Sequence, residues 1–128
     1  MSESVLDASA LLALLGSEPG GDKVAQALSR GVAMSTVNLA EVVAKLADAG
    51  MPDEAIHATL DPLGLTLIDF DRDVAFQTGL LRPATQSAGL SLGDRACLAL
   101  AQHLSLPALT ADRNWANISL GISITFIR

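Results

Sequence analysis

Tyrosine is absent from these 128 residues, and the remaining aromatics are three phenylalanines and one tryptophan. Bases held by stacking need aromatic platforms, so stacking is not expected to carry any nucleic-acid binding here. Cationic side chains are scarce as well: eight Lys and Arg stand against fourteen Asp and Glu, a net charge of −6. They form no run, which argues against strong sequence-independent binding to duplex phosphates. The single Cys97 cannot form an internal disulfide, and this fits a reducing compartment. No apolar run approaches the ~20 residues that span a bilayer, and no basic segment with a cleavage site opens the chain. The expectation is a cytoplasmic protein that does not engage a membrane.

What is present is apolar. Half of the residues are hydrophobic and 17% are charged, which excludes a disordered chain. The length suits one domain over residues 1–128 with a sizeable core. A mean hydropathy of +0.41 implies more apolar side chain than a small monomer hides. A homodimer or partner interface is the natural use for the excess.

Strand-like and helix-like segments alternate along the chain. Ser4–Asp7 reads as a short buried strand and Ser9–Leu15 as a helix apolar nearly all round. After a Gly- and Pro-rich loop, Asp22 can cap a helix to Arg30, and Val32–Ser35 reads as a second strand. Thr36–Ala49 is a helix stopped by Gly50, and Asp53–Leu60 is another that follows Pro52. Leu65–Ile68 is a third strand, Asp71 caps the helix Arg72–Leu81, and Pro83–Leu90 is the longest loop. Ser91–Leu104 is apolar on almost every side and so is expected to be buried. Pro107–Thr110 and Ile122–Phe126 complete five strands. This alternation predicts an α/β fold, a mostly parallel five-stranded sheet covered by helices on both faces.

Four acids stand where these elements begin or end: Asp7, Glu41, Asp94 and Asp112. Ligands of such sheets bind beyond the carboxyl ends of the strands, and Asp7 and Asp112 both lie just past one. Carboxylates brought together there repel, and they need protons or cations to neutralise them. Oxygen-only ligands favour Mg²⁺ or Mn²⁺ over Zn²⁺. Two bound ions would offset about four of the negative charges and ease the objection to nucleic acid. Each acid also has a plainer use. Asp7 can cap the helix after it, Ser91-Leu92-Gly93-Asp94 fits a capping box, Asn38-Leu39-Ala40-Glu41 nearly does, and Asp112 can cap a short helix around Asn114–Ala116.

Together the segments Val5-Leu6-Asp7-Ala8-Ser9-Ala10-Leu11, Ala40-Glu41-Val42, Leu92-Gly93-Asp94-Arg95-Ala96-Cys97-Leu98-Ala99-Leu100-Ala101 and Leu109-Thr110-Ala111-Asp112-Arg113-Asn114-Trp115 resemble the PIN-domain nucleases. The likeness is closest to the VapC-type toxins of bacterial toxin–antitoxin pairs, and it runs in order over nearly the whole chain. The resemblance implies a metal-dependent endoribonuclease that cleaves structured RNA, works as a dimer and is inhibited by a cognate VapB-type antitoxin. By the same resemblance Asp7, Glu41, Asp94 and Asp112 are the catalytic acids holding one or two Mg²⁺ or Mn²⁺. Ser9 and Thr110 match supporting hydroxyl positions. Some relatives carry a further acid after the last motif, where this chain has Asn114 and Asn117.

In that chemistry the metals lower the pKa of a water that attacks the phosphodiester in line, and no histidine base is needed. His57 and His103 lack ligand spacing and read as structural or exposed. Arg95 and Arg113 each follow a quartet acid and can contact phosphate, or can simply be solvated. Trp115 reads as packing and Cys97 as core. The run Asp69-Phe70-Asp71-Arg72-Asp73 fails as a calcium loop, since Val74 and Leu80 stand where Gly and Glu are required. Other readings stay open: another metal-dependent phosphohydrolase, or a PIN-fold binding module without activity. A phospho-acceptor receiver would want a late lysine, whereas Lys23 and Lys45 are both early.

Overall fold

Two hydrophobic cores form on opposite faces of one sheet, and successive residues of its three central strands are divided between them. The computed structural model describes residues 1–128. Its strands are β1 (Ser4–Leu6), β2 (Val32–Ser35), β3 (Thr66–Ile68), β4 (Ala108–Thr110) and β5 (Ile124–Phe126). All pairings are parallel, in the order β3-β2-β1-β4-β5. Because strand side chains alternate between faces, Leu6, Val32, Met34 and Leu109 enter one core while Val5, Ala33 and Ala108 enter the other. The α/β sheet expected from the alternation of segments is the one observed.

Helices α1 (Ala8–Leu15), α2 (Gly21–Arg30), α3 (Thr36–Asp48) and α4 (Asp53–Leu60) cover the first face, with Leu11, Val24, Val42 and Ile56 as buried contributors. The second face is covered by α5 (Arg72–Leu80) and α7 (Leu92–Leu104), with the four-residue α6 (Arg82–Thr85) between them. α7 runs across β1, β2 and β4. It shares the second core with the small side chains Val5, Ala33 and Ala108, to which it adds small ones of its own, Cys97 and Ala101 among them. The chain leaves β1 toward β2 on one side and returns to β4 on the other. That reversal opens a crevice at the carboxyl ends of β1 and β4.

Several boundaries differ from the sequence reading, each for a local reason. α2 is entered through Gly20 at φ 91°, so Asp22 lies inside the first turn instead of capping it. A Cβ on Gly20 would strike the Ile127 carbonyl. α3 is capped by Ser35, whose Oγ accepts the Val37 N–H, which leaves Asn38 within the helix and not at its cap. Pro52 is the N-cap of α4 and not its first turn. The segment Pro83–Leu90 is not all loop: Pro83 is the second residue of α6, where its missing N–H is not needed, and Thr85 Oγ1 donates back to the Leu81 carbonyl. α7 is buried from Arg95 to Ala101 but exposes Leu92, Gln102 and His103 at its ends.

Candidate active site

β1 stops at Leu6 because the next side chain turns back to start a helix. Asp7 Oδ1 accepts the Ala10 N–H at 2.8 Å and caps α1. Ser9 Oγ lies 2.8 Å and 2.9 Å from the two Asp7 oxygens and donates to them. Thr110, the last residue of β4, donates to Asp7 Oδ2 at 2.5 Å. The same two hydroxyl oxygens also accept: Ser9 Oγ takes the Ala111 N–H at 2.9 Å, and Thr110 Oγ1 takes the Asp112 N–H at 3.0 Å. Side chains thus join the ends of β1 and β4 where the backbone ladder runs out. Asp112, half-buried, caps the 3-10 helix Arg113–Asn117 through Asn114 N–H at 2.9 Å.

Glu41 and Asp94 reach the crevice from two helices. Asp94 sits in the first turn of α7 and closes a capping box: its Oδ2 accepts the Ser91 N–H at 2.9 Å, and Ser91 Oγ accepts the Asp94 N–H at 3.2 Å. Glu41, one turn into α3, lays its carboxylate over Gly93, in the space that a Cβ there would fill. Asn38 Nδ2 donates to Glu41 Oε1 at 2.8 Å and to the Gly93 carbonyl at 3.0 Å. Sequence reasoning missed Asn38 and Gly93 as members of this site. The available signal was a lone amide in an apolar helix, one turn before an acid.

Electrostatics report the same convergence. Asp7 is 3% exposed, and burial raises its carboxyl from 3.8 to about 6, against the lowering effect of its bonds from Thr110, Ala10 and Ser9. The charge of Asp94 raises it further. Burial also pushes the Cys97 thiol well up, with the charges of Asp7, Asp94 and Glu41 adding to it. The charges of Asp7, Asp94 and Glu41 are thus all felt at Cys97 on α7, and Asp112 is linked to Asp7 through Thr110. No arginine, lysine or histidine pairs with any of the four, since the ion pairs join Arg30–Glu3, His57–Asp53, His57–Asp61 and Arg128–Glu18.

The donor chemistry fits a hard divalent cation: four carboxylates, no nitrogen or sulfur ligand, and a buried acid without a counter-charge. No three acidic, histidine or cysteine side chains stand around a common point: Asp7, Asp94 and Asp112 each hold a backbone N–H at a helix start, and Glu41 holds the Asn38 amide. Glu41, Asp94 and Asp112 each accept from a single N–H group and keep lone pairs for a cation, whereas Asp7 also accepts the Ser9 and Thr110 hydroxyls.

Other expected members lie elsewhere. Arg95 does not face the crevice: it is buried beneath α5, its Nη1 donating to the Thr78 carbonyl at 3.1 Å, because its neighbours on α7 turn that face into the second core. Arg113 lies over the Phe126 ring, 4.6 Å from its centroid, and donates to the Arg128 carbonyl. Arg95, buried in this way, is not available as a phosphate contact, while Arg113 is exposed beside Asp112. Trp115 is fully buried, as its packing role required, and His57 and His103 are exposed.

Residues 4–120 match the family model of the PIN domain. Among solved structures, the chain is similar to the DNA-bound VapBC complex of Salmonella typhimurium, with 19% identity, a TM-score of 0.77 and 100% of both chains covered. It is also similar to a toxin–antitoxin complex from Klebsiella pneumoniae, with 22% identity, a TM-score of 0.74 and 98% of each chain covered. A third likeness is to the sarcin-ricin loop cleaving VapC toxin of Mycobacterium tuberculosis, at 17% identity and a TM-score of 0.63, covering 91% of this chain and 96% of that one. At these identities the likeness is one of fold. No curated protein matches the sequence.

Proposed function

The chain belongs to the PIN domain family, and we propose that it is a Mg²⁺- or Mn²⁺-dependent endoribonuclease, the toxin of a toxin–antitoxin pair. The observation that carries this reading is the group of acids at the β1–β4 crevice, with Asp7 buried and no cationic side chain neutralising any member. An acid so placed is an expense to the fold unless a cation is meant to join it.

Asp7, Glu41, Asp94 and Asp112 would hold one or two ions. When bound, the cation supplies compensating charge and a water of lowered pKa at the phosphodiester. The chain's own part is positioning. Ser9 and Thr110 fix the Asp7 carboxylate from two sides, while the capping box fixes Asp94. With Trp115 buried and no tyrosine, bases have little to stack on. RNA is then recognised by backbone and shape, which suits a structured substrate.

Relatives of the same fold are toxin–antitoxin complexes, one of them bound to DNA, and another is named for cleaving the sarcin-ricin loop. They support a VapB-type antitoxin as partner, and a basic side chain of that partner would suit the unpaired acids. Exposed Leu67, Phe76, Leu80 and Leu92 support a homodimer. No helix is long and apolar enough to cross a membrane, and we place the protein in the cytoplasm.

The test is direct. Millimolar Mn²⁺ or Mg²⁺ raises the melting temperature of the wild type, and Asp94→Asn abolishes the rise. Structured RNA is cut in the presence of metal and spared by Asp7→Asn. Cleavage by Asp7→Asn at the wild-type rate, or none by the wild type across total RNA, defeats the reading.

A further inference from the structure

We propose that Asn38 is a positioning residue for Glu41: its carboxamide seats the Glu41 carboxylate on the first turn of α7, beside Asp94, ready for a divalent cation. The inference rests on the metal-dependent reading above and names a member of the site that does not itself touch the metal.

Asn38 lies in the third position of α3 and is 1% exposed. Its two amide hydrogens have two acceptors: Glu41 Oε1 at 2.8 Å on its own helix, and the Gly93 carbonyl at 3.0 Å on α7. The Glu41 carboxylate in turn fills the place of the Gly93 side chain. Carboxamide, carboxylate and helix turn therefore pack as one unit. Glutamate has three free torsions, and gripping its end from two sides orders it before any ion arrives.

The second observation is what this arrangement leaves over. Asn38 Oδ1 is buried and has no hydrogen-bond partner. Rotating the amide by half a turn would not help, since it would set Oδ1 against a carboxylate and a carbonyl, both acceptors. The orientation is therefore dictated by the neighbours. Leucine has the same number of side-chain heavy atoms and no buried oxygen of its own to leave without a partner, although its two methyl groups are bulkier and it gives up both donors. A local rule broken in the core, at a residue touching a quartet acid, marks the function of the two donors.

The experiment uses the full chain and Mn²⁺ as probe. In chelator, Asn38→Leu still unfolds cooperatively, yet by calorimetric titration it binds Mn²⁺ more weakly, on the order of 10- to 100-fold. In a Glu41→Gln background, adding Asn38→Leu brings no further loss, because the residue it acts through is already gone. Asn38→Ala repeats the comparison should leucine disturb folding. Metal-free NMR gives a separate readout: the Asn38 side-chain amide protons exchange slowly in the wild type and faster in Glu41→Gln. Wild-type affinity in both Asn38 variants, or losses that add to that of Glu41→Gln, overturns the role of Asn38 while leaving the metal site standing. A wild type that takes up no Mn²⁺ overturns the metal reading, and the assignment with it, even if the amide exchange behaves as described.

Discussion

Thr110 gives its hydroxyl hydrogen to Asp7 across 2.5 Å, although the two residues are 103 positions apart. The bond joins the carboxyl ends of two neighbouring strands, and Thr110 has no exposed surface. The same oxygen accepts the Asp112 N–H, so one side chain serves two acids of the crevice.

Thr110→Val keeps the shape and removes both bonds. It leaves an acceptor on Asp7 and the Asp112 N–H without their partner, which is expected to destabilise the chain by about 1–3 kcal/mol. Thr110→Ser, which restores the hydroxyl, recovers most of the loss. Urea unfolding in chelator measures both, and a valine variant as stable as the wild type would refute the account.

Asp7 imposes a pH dependence of definite sign. Its carboxyl titrates near 6 in the folded chain against an ordinary value of 3.8. Below the ordinary value it is neutral in both states and carries no penalty. Between the two, the folded chain holds a proton that the unfolded chain has lost, so stability falls as pH rises. Above the folded value the penalty is complete, on the order of 3 kcal/mol. Metal-free Asp7→Asn should therefore melt above the wild type at pH 7, with the gap closing toward pH 4. Parallel melting curves across that range would contradict this.

Gly93→Ala separates folding from function. The atom that meets the new methyl group is the far end of a flexible side chain, Glu41, which can swing away. Alanine also favours the helix by up to about 1 kcal/mol. The expected variant melts at or above the wild-type temperature in chelator but gains less from Mn²⁺ and cleaves RNA more slowly. Full metal response would show that the seat of Glu41 is dispensable.

Phe76 and Leu80 lie one turn apart on α5 and are 71% and 68% exposed. If a second copy covers them, Phe76→Glu with Leu80→Glu yields a monomer in sedimentation while the fold survives. A wild type that sediments as a monomer at micromolar concentration would end the dimer proposal.

Much of this was legible in the sequence for one reason: the acids sit at element ends, and element ends are marked by changes of period. Asp7, Asp94 and Asp112 each cap a helix, so their plainer use and their place at the crevice coincide. Arg95 was harder, because adjacency to Asp94 in sequence becomes opposition in space: about 100° per residue turns one toward the crevice and the next into the core. Asn38 resembled a cap until Ser35 was seen to hold that post. α6 is too short for any periodicity to show. Gly93 is invisible without coordinates, since its contribution is the volume it does not occupy.

The small side chains with which α7 rests on the sheet have a consequence beyond packing. Cys97 and Ala101, packed in one core with Val5, Ala33 and Ala108, act as a thickness gauge that sets how closely α7, and Asp94 at its start, approaches the sheet. Enlarging one of them lifts the helix and widens the gap between acids that are themselves untouched. A chain of this fold can therefore keep every carboxylate of the crevice and still lose their spacing from underneath, by a methylene or two added where helix meets strand.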